Sequence, residues 1–243
     1  SNTVSLPITA ILSARVDPYL KMKLRELDEV KSQSRNPPSS GEWSFLKEYL
    51  APLERITRGY TTEALAAYGS RIAGYSKGQS DLDLLVVLRE YPPKVRYKYL
   101  KGKIDLSALL VDRDSLVADA ERAYLGEFVV GRLLNTYQPI EGEEFLSDVE
   151  NRFKGRVILE TLVELASQYG EFANNLLIPP DYFLFEKLRK RSSQYPPALY
   201  SYIRTYTGPR SPENVIAAKK SFEYYLRKLA TENFLDFNDG FAH

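Results

Sequence analysis

Three acids and one Gly-Ser pair have the types and spacing to do chemistry in this chain. Ala64-Leu65-Ala66-Ala67-Tyr68 is a short apolar run that ends at Gly69-Ser70. A strand that ends in glycine lets phosphate oxygens approach backbone amides, because no side chain stands in the way. Eleven residues after Ser70 comes Asp81, and then Asp83, at the head of the apolar run 82–88. Alternate residues of a strand share a face, so the two carboxylates point the same way while Leu82 and Leu84 turn to the core. Such a pair repels itself unless a cation lies between its members. Oxygen ligands beside a phosphate cradle suit Mg²⁺ or Mn²⁺. Asp105 is the third acid, within Ile104-Asp105-Leu106-Ser107-Ala108-Leu109-Leu110. A lone carboxylate there is costly unless it faces a metal, a partner or water. Placed beside the Asp81/Asp83 strand, it completes a site for two metals about 4 Å apart. One would lower the pKa of an acceptor hydroxyl, and the other would neutralise a triphosphate and its leaving group.

The rest of the composition removes the competing chemistries. The 243 residues contain no cysteine, and the one histidine is His243. Thiol catalysis, zinc–thiolate sites and disulfides are excluded, and a Ser-His-Asp triad would need the last residue. Acid–base and metal work falls to Asp, Glu, Lys and Tyr. At 44% hydrophobic and 27% charged, with a net charge of +1, the chain reads as an ordinary globular protein that bulk charge does not draw to nucleic acid or membranes. No apolar run approaches the roughly 20 residues a membrane helix needs. The opening Ser1-Asn2-Thr3 lacks a basic stretch followed by an apolar one, so no signal peptide is expected and the expected location is the cytoplasm. The lack of cysteine, with 14 prolines and many charged residues, also fits a protein built for heat.

The elements that position these residues can be read from periodicity. Helices are expected over 17–34 and 42–57, strands over 64–68 and 82–88, and a hairpin of 95–100 and 104–111 around Lys101-Gly102-Lys103. Asp112 and Asp114 read as a helix start. Helical stretches follow at 114–123, 127–134 and about 143–178, ended by Ile178-Pro179-Pro180. Further helices are expected near 181–191, 197–206 and 211–230, with a turn at Asn238-Asp239-Gly240. The expected class is α+β. A helical segment (1–58) packs on a catalytic domain (59–140) with a mixed sheet flanked by helices. A mainly helical region (141–243) follows, with a sub-boundary near 179 and a winged-helix-like end.

The segment from Gly69 to Val86 resembles the DNA polymerase β-like nucleotidyltransferase superfamily. Its members carry Gly-Ser, a spacer of about ten residues, then Asp-hydrophobic-Asp, with a third acid on a later strand. Gly69-Ser70-Arg71, Gly74 and Ser80-Asp81-Leu82-Asp83 look most like the small prokaryotic and archaeal members, the minimal nucleotidyltransferases among them. The close match spans about 20 residues and the weaker one 60–135. The resemblance implies transfer of a nucleoside monophosphate from a Mg²⁺-bound triphosphate, ATP by expectation, to a hydroxyl. Asp81, Asp83 and Asp105 would hold metal, and Gly69, Ser70, Arg71, Lys77 and Ser80 would hold the nucleotide. Ala73 stands where a basic residue commonly precedes the glycine; Arg71 and Lys77 can supply that charge. Ser80 can equally cap the turn into its strand.

RNA or protein is favoured over a small molecule as acceptor, since no acidic cluster awaits a cationic substrate. A basic, aromatic-rich stretch from Tyr182 to Arg210 would suit RNA. The alternatives are a nucleotide-sensing, nucleic-acid-binding regulator and an antitoxin-type interaction module, and an oligomer is open in every case.

Overall fold

A computed structural model describes residues 48–233 and 235–242. The helix expected over 17–34 lies outside the described residues, as do residues 42–47 of that expected over 42–57. Its end is a 3₁₀ turn, Ala51–Leu53, that runs into α1 (Glu54–Thr57). The centre of the molecule is a sheet of β1 (Thr61–Tyr68), β2 (Leu82–Arg89), β3 (Arg96–Leu100), β4 (Leu106–Asp112) and β5 (Gln138–Glu141), in the order β3-β4-β2-β1-β5. β1 pairs antiparallel with β2 and β5, β3 pairs antiparallel with β4, and β2 runs parallel to β4.

The three inner strands are mostly apolar, with Asp83 and Ser107 as polar breaks in β2 and β4, because both faces of the sheet are covered. Leu85 and Leu109 on one face join a core that runs through Phe153, Phe183 and Phe222 of the later helices. Leu84, Val86 and Leu110 on the other face pack with Leu50, Leu53 and Ile56. The outer strand β5 was not expected. Its Gln-Pro-Ile-Glu sequence has no strand pattern, and a proline is tolerated there because an edge strand can spare a donor.

Asp112 caps α3 (Arg113–Arg122), its carboxylate accepting from the amides of Asp114 and Ser115 at 3.1 Å each. The helix expected over 127–134 contracts to a 3₁₀ turn, Val130–Leu133. Gly126 and Glu127 have φ of 64° and 61°, which breaks any helix before that point. The long helix α4 (Glu143–Tyr169) stops earlier than expected, at Gly170, and a 3₁₀ turn, Gly170–Asn175, follows. Then come α5 (Pro180–Gln194), α6 (Pro197–Thr207) and α7 (Ser211–Thr231), each with proline in its first turn, where the missing N–H costs nothing. The chain closes in a two-stranded hairpin, β6 (Phe237–Asn238) and β7 (Phe241–Ala242). Its turn residues Asp239 and Gly240 both have positive φ, 51° and 82°, as a two-residue type I′ turn requires. The architecture is α+β, with a mixed sheet and helices. Among the described residues no helix is long and apolar enough to cross a membrane.

Candidate functional site

The strand registers set four side chains in one row across the sheet. Tyr68 of β1 lies opposite Asp83 of β2, Asp83 opposite Ser107 of β4, and Ser107 opposite Tyr99 of β3. All four line a cavity of about 510 Å³. Its far wall is α6, through Ala198, Ser201, Tyr202 and Thr205, and its third wall is the segment 128–136, through Phe128, Arg132 and Asn135. A cavity of this size at the end of the inner strands takes a nucleotide-sized ligand.

Gly69 and Ser70 form the lip of this cavity. Gly69 has φ 77° and ψ −158°, a conformation essentially restricted to glycine. A Cβ added there would collide with the Asp83 carboxylate. The backbone therefore passes directly over Asp83 because residue 69 has no side chain. Its carbonyl accepts from the amides of Ile72 and Ala73 at 3.1 and 2.9 Å, which starts the short turn α2 (Ser70–Ala73). Gly69→Ala is expected to lower the melting temperature by several degrees, from a backbone strain of about 1–3 kcal/mol, and to remove ligand binding in the cavity. A thermal melt with an unchanged midpoint would show that the close approach is not needed.

Arg71, Lys77 and Ser80 are not among the residues that line the cavity. Arg71 donates from its guanidinium to the Ser80 carbonyl. The Lys77 amide donates to Ser80 Oγ at 2.8 Å, and the Ser80 amide donates to the Lys77 carbonyl at 2.8 Å. These bonds fold the 70–80 loop on itself. Ser80 takes the turn-capping part, and the Lys77 side chain is exposed.

Asp83 is the strained group. Burial first, and the neighbouring Asp81 charge second, push its pKa from 3.8 to about 6 against the opposing pull of Arg132. Asp81 sits just before β2 and is half-buried. One step beyond the ladder pair Leu82–Leu106, the parallel register sets Asp105 beside Asp81, and the Leu82 amide donates to the Asp105 carbonyl at 2.9 Å. Asp105 lies one residue outside its strand, not within it. Its carboxylate accepts from Lys101 Nζ at 2.5 Å, and this hydrogen bond holds its pKa low. Among the described residues, no three His, Cys, Asp or Glu side chains gather closely enough to hold a metal. The pair Asp81 and Asp83 fits one hard divalent cation, which would offset the repulsion that burial intensifies.

Arg132 is the site residue the sequence analysis missed. Its guanidinium lies over the rings of Tyr68 (5.4 Å) and Phe128 (5.2 Å), and it donates to Tyr97 Oη at 3.0 Å. It makes no salt bridge among the described residues, and its Nε is buried without a hydrogen-bond partner. A signal did exist: Arg132 interrupts Val129-Val130-Gly131-Arg132-Leu133-Leu134 as Asp105 interrupts its own apolar run. The buried Asp119 carboxylate holds this segment by accepting from the amides of Leu125, Glu127 and Val130 at 2.7, 2.9 and 2.9 Å. The C-terminal helices hold the other side. Asn214 Nδ2 donates to the carbonyls of Ala73 and Thr205, both at 2.9 Å, and Tyr75 Oη lies 3.0 Å from Ser201 Oγ.

Much of the basic stretch expected to face RNA is used internally. Lys187 and Arg191 join Arg156 on the buried Glu127 carboxylate, at 2.7, 3.3 and 2.8 Å. Arg189 pairs with Glu186 and Lys190 with Glu164, while Tyr182, Tyr202 and Tyr206 are core residues.

No family model matches the chain, and no curated protein matches it. Among solved structures it is similar to a nucleotidyltransferase-like protein from Exiguobacterium sibiricum 255-15, at 13% identity over 78% of this chain and 75% of that one, with a TM-score of 0.29. A likeness at that TM-score carries no argument, so the functional reading rests on the Gly69-to-Asp83 segment and on the cavity it lines.

Proposed function

We propose that this chain is a metal-dependent nucleotidyltransferase of the polymerase β-like kind, which moves a nucleoside monophosphate from a triphosphate, ATP by preference, to a hydroxyl acceptor. The observation that carries the reading is the contact between Gly69 and Asp83. The glycine that lets phosphates approach the backbone and the carboxylate suited to their cation meet at one edge of a nucleotide-sized cavity. Asp81 and Asp83 would hold Mg²⁺ or Mn²⁺; when bound, the cation neutralises the triphosphate and makes an acceptor hydroxyl more acidic. The backbone at Gly69 and Ser70 receives the terminal phosphates, and Arg132 faces the charge that builds on the leaving pyrophosphate. Asp105 joins the pair when Lys101 releases it, and assists removal of the acceptor proton. Arg71, Lys77 and Ser80 serve the nucleotide by fixing the loop that follows Ser70. The acceptor is RNA or protein in preference to a small molecule. The C-terminal helices with their hairpin act as a winged-helix-like module beside the catalytic sheet.

Two expected results test this reading. Incubation with each labelled triphosphate and Mg²⁺, against RNA, protein and small-molecule fractions, is expected to label one macromolecular fraction. Binding of triphosphate without any transfer would favour the nucleotide-sensing alternative. Asp105→Asn is expected to leave triphosphate affinity within a few-fold and to lower the transfer rate about 10²-fold, the scale of a lost acid–base contribution. A rate within about threefold of wild type would leave Asp105 as a surface partner of Lys101 and nothing more.

A further inference from the structure

The internal pairing of the 182–210 stretch leaves another basic and aromatic surface unspent, and it borders the same cavity. β3 is an outer strand of the sheet, so among the described residues one side of its backbone has no strand beside it. The segment 91–104 carries five cations and no carboxylate. Two of the five are paired, Lys101 with Asp105 and Lys103 with Glu48. Lys94, Arg96 and Lys98 are exposed and make no salt bridge among the described residues. Alternation along β3 places Arg96 and Lys98 on one face, and Tyr97 and Tyr99 on the other. That second face is the cavity face: Tyr97 and Tyr99 line the cavity, with 42% and 75% of their surfaces exposed. Lysines on an open edge strand do guard against pairing with other strands. Guarding does not call for Tyr99 on the other face, 75% exposed at the mouth of a cleft beside Tyr97, which Arg132 and Phe128 already hold in place.

Resting on the nucleotidyltransferase reading above, we infer that the acceptor is the end of a single-stranded nucleic acid that lies along β3. Its phosphates meet Lys94, Arg96 and Lys98, and its last bases turn over the strand edge to stack on Tyr99 and Tyr97. The terminal hydroxyl is thereby delivered towards Asp83, which sits two strands away in the row Tyr99–Ser107–Asp83. Stacking on an aromatic ring is tolerant of base identity, because every base has a flat face. A base-paired end cannot use it, since its bases are already stacked and its width does not fit one strand edge. The charge pattern also opposes a cationic peptide in the same place.

The test is fluorescence anisotropy of a labelled 12-nucleotide single-stranded RNA of mixed sequence with the full chain, without triphosphate, across a salt series. Duplex RNA and an oligoglutamate peptide serve as competitors. Mg²⁺–ATP affinity is measured on the same samples. Single-stranded RNA is expected to bind with a log–log salt slope of about −2, as three phosphate contacts give. Neither competitor should displace it at tenfold excess. The triple variant Lys94→Gln, Arg96→Gln, Lys98→Gln is expected to bind RNA at least tenfold more weakly with a flattened slope, and to keep wild-type Mg²⁺–ATP affinity. Tyr99→Ala, which leaves the charges in place, is expected to weaken RNA binding about tenfold at an unchanged slope, and Tyr99→Phe to restore it. RNA affinity unchanged in both the triple variant and Tyr99→Ala would overturn the inference. So would equal displacement by oligoglutamate, which would point to a protein partner. Failure of Mg²⁺–ATP to bind the wild-type chain would instead overturn the nucleotidyltransferase reading itself.

Discussion

Asp83→Asn is expected to abolish nucleotide transfer and, in the same protein, to raise the melting temperature. The amide matches the carboxylate in shape but carries no charge. Transfer should fall by about 10³-fold or more, because the buried ligand of the cation is lost. Stability should move the other way. The folded chain holds the Asp83 proton more tightly than the unfolded chain does, with a pKa of about 6 against 3.8. Protonated Asp83 therefore costs nothing below about pH 4, and folding stability is lost progressively as the pH rises through about 6. The full shift corresponds to about 3 kcal/mol; allowing for partial exposure and relaxation leaves ~1–2 kcal/mol. For a chain of this size that is about 2–8 °C. The gain should be absent at pH 4 and complete by pH 7. Thermal melts of both proteins across this range decide it, and a variant less stable than wild type at pH 7 would show that Asp83 is a structural acid.

Arg132→Met carries the second large effect. The thioether side chain keeps much of the bulk over Tyr68 and Phe128 but removes the cation. A half-buried guanidinium that makes no salt bridge among the described residues, with Asp83 as a nearby counter-charge, bears a desolvation cost that a bound anion would offset. Triphosphate affinity is expected to fall about 10²-fold, the scale of truncating one partner of a desolvated charge pair, while the melting temperature holds or rises. Calorimetric titration with Mg²⁺–ATP reads this directly. An affinity within about threefold of wild type would remove Arg132 from the site.

What could be read before the structure divides by the range of the physics involved. The inner strands, the β3–β4 hairpin and the Asp112 cap follow from local pattern, and each appears within a few residues of its expected place. Gly-Ser and Asp-Leu-Asp were legible as strand-end motifs, because each adjoins an apolar strand, but the close approach of the Gly69 backbone to Asp83 was not, since it depends on the pairing of β1 with β2. Distant contacts were not legible. The row Tyr68–Asp83–Ser107–Tyr99 depends on β4 running parallel to β2, which no local sequence dictates. Glu127 could not be recognised as the shared partner of Arg156, Lys187 and Arg191, because the three cations reach it from two other helices. For that reason a basic, aromatic run over 182–210 read as a docking surface although much of it is core and internal ion pairs. β5 was missed because pairing with β1 holds its four residues in place, and their own strand propensity does not.

The central claim is that an α-phosphoryl group with its nucleoside is moved, and the fate of label in ATP tests it most directly. Parallel reactions with α-labelled and γ-labelled ATP, Mg²⁺, total RNA and the wild-type chain are expected to leave the α label on RNA and the γ label in pyrophosphate. Both products should vanish with chelator and with Asp83→Asn. Label from the γ position on any acceptor, or release of inorganic phosphate in place of pyrophosphate, would contradict the account.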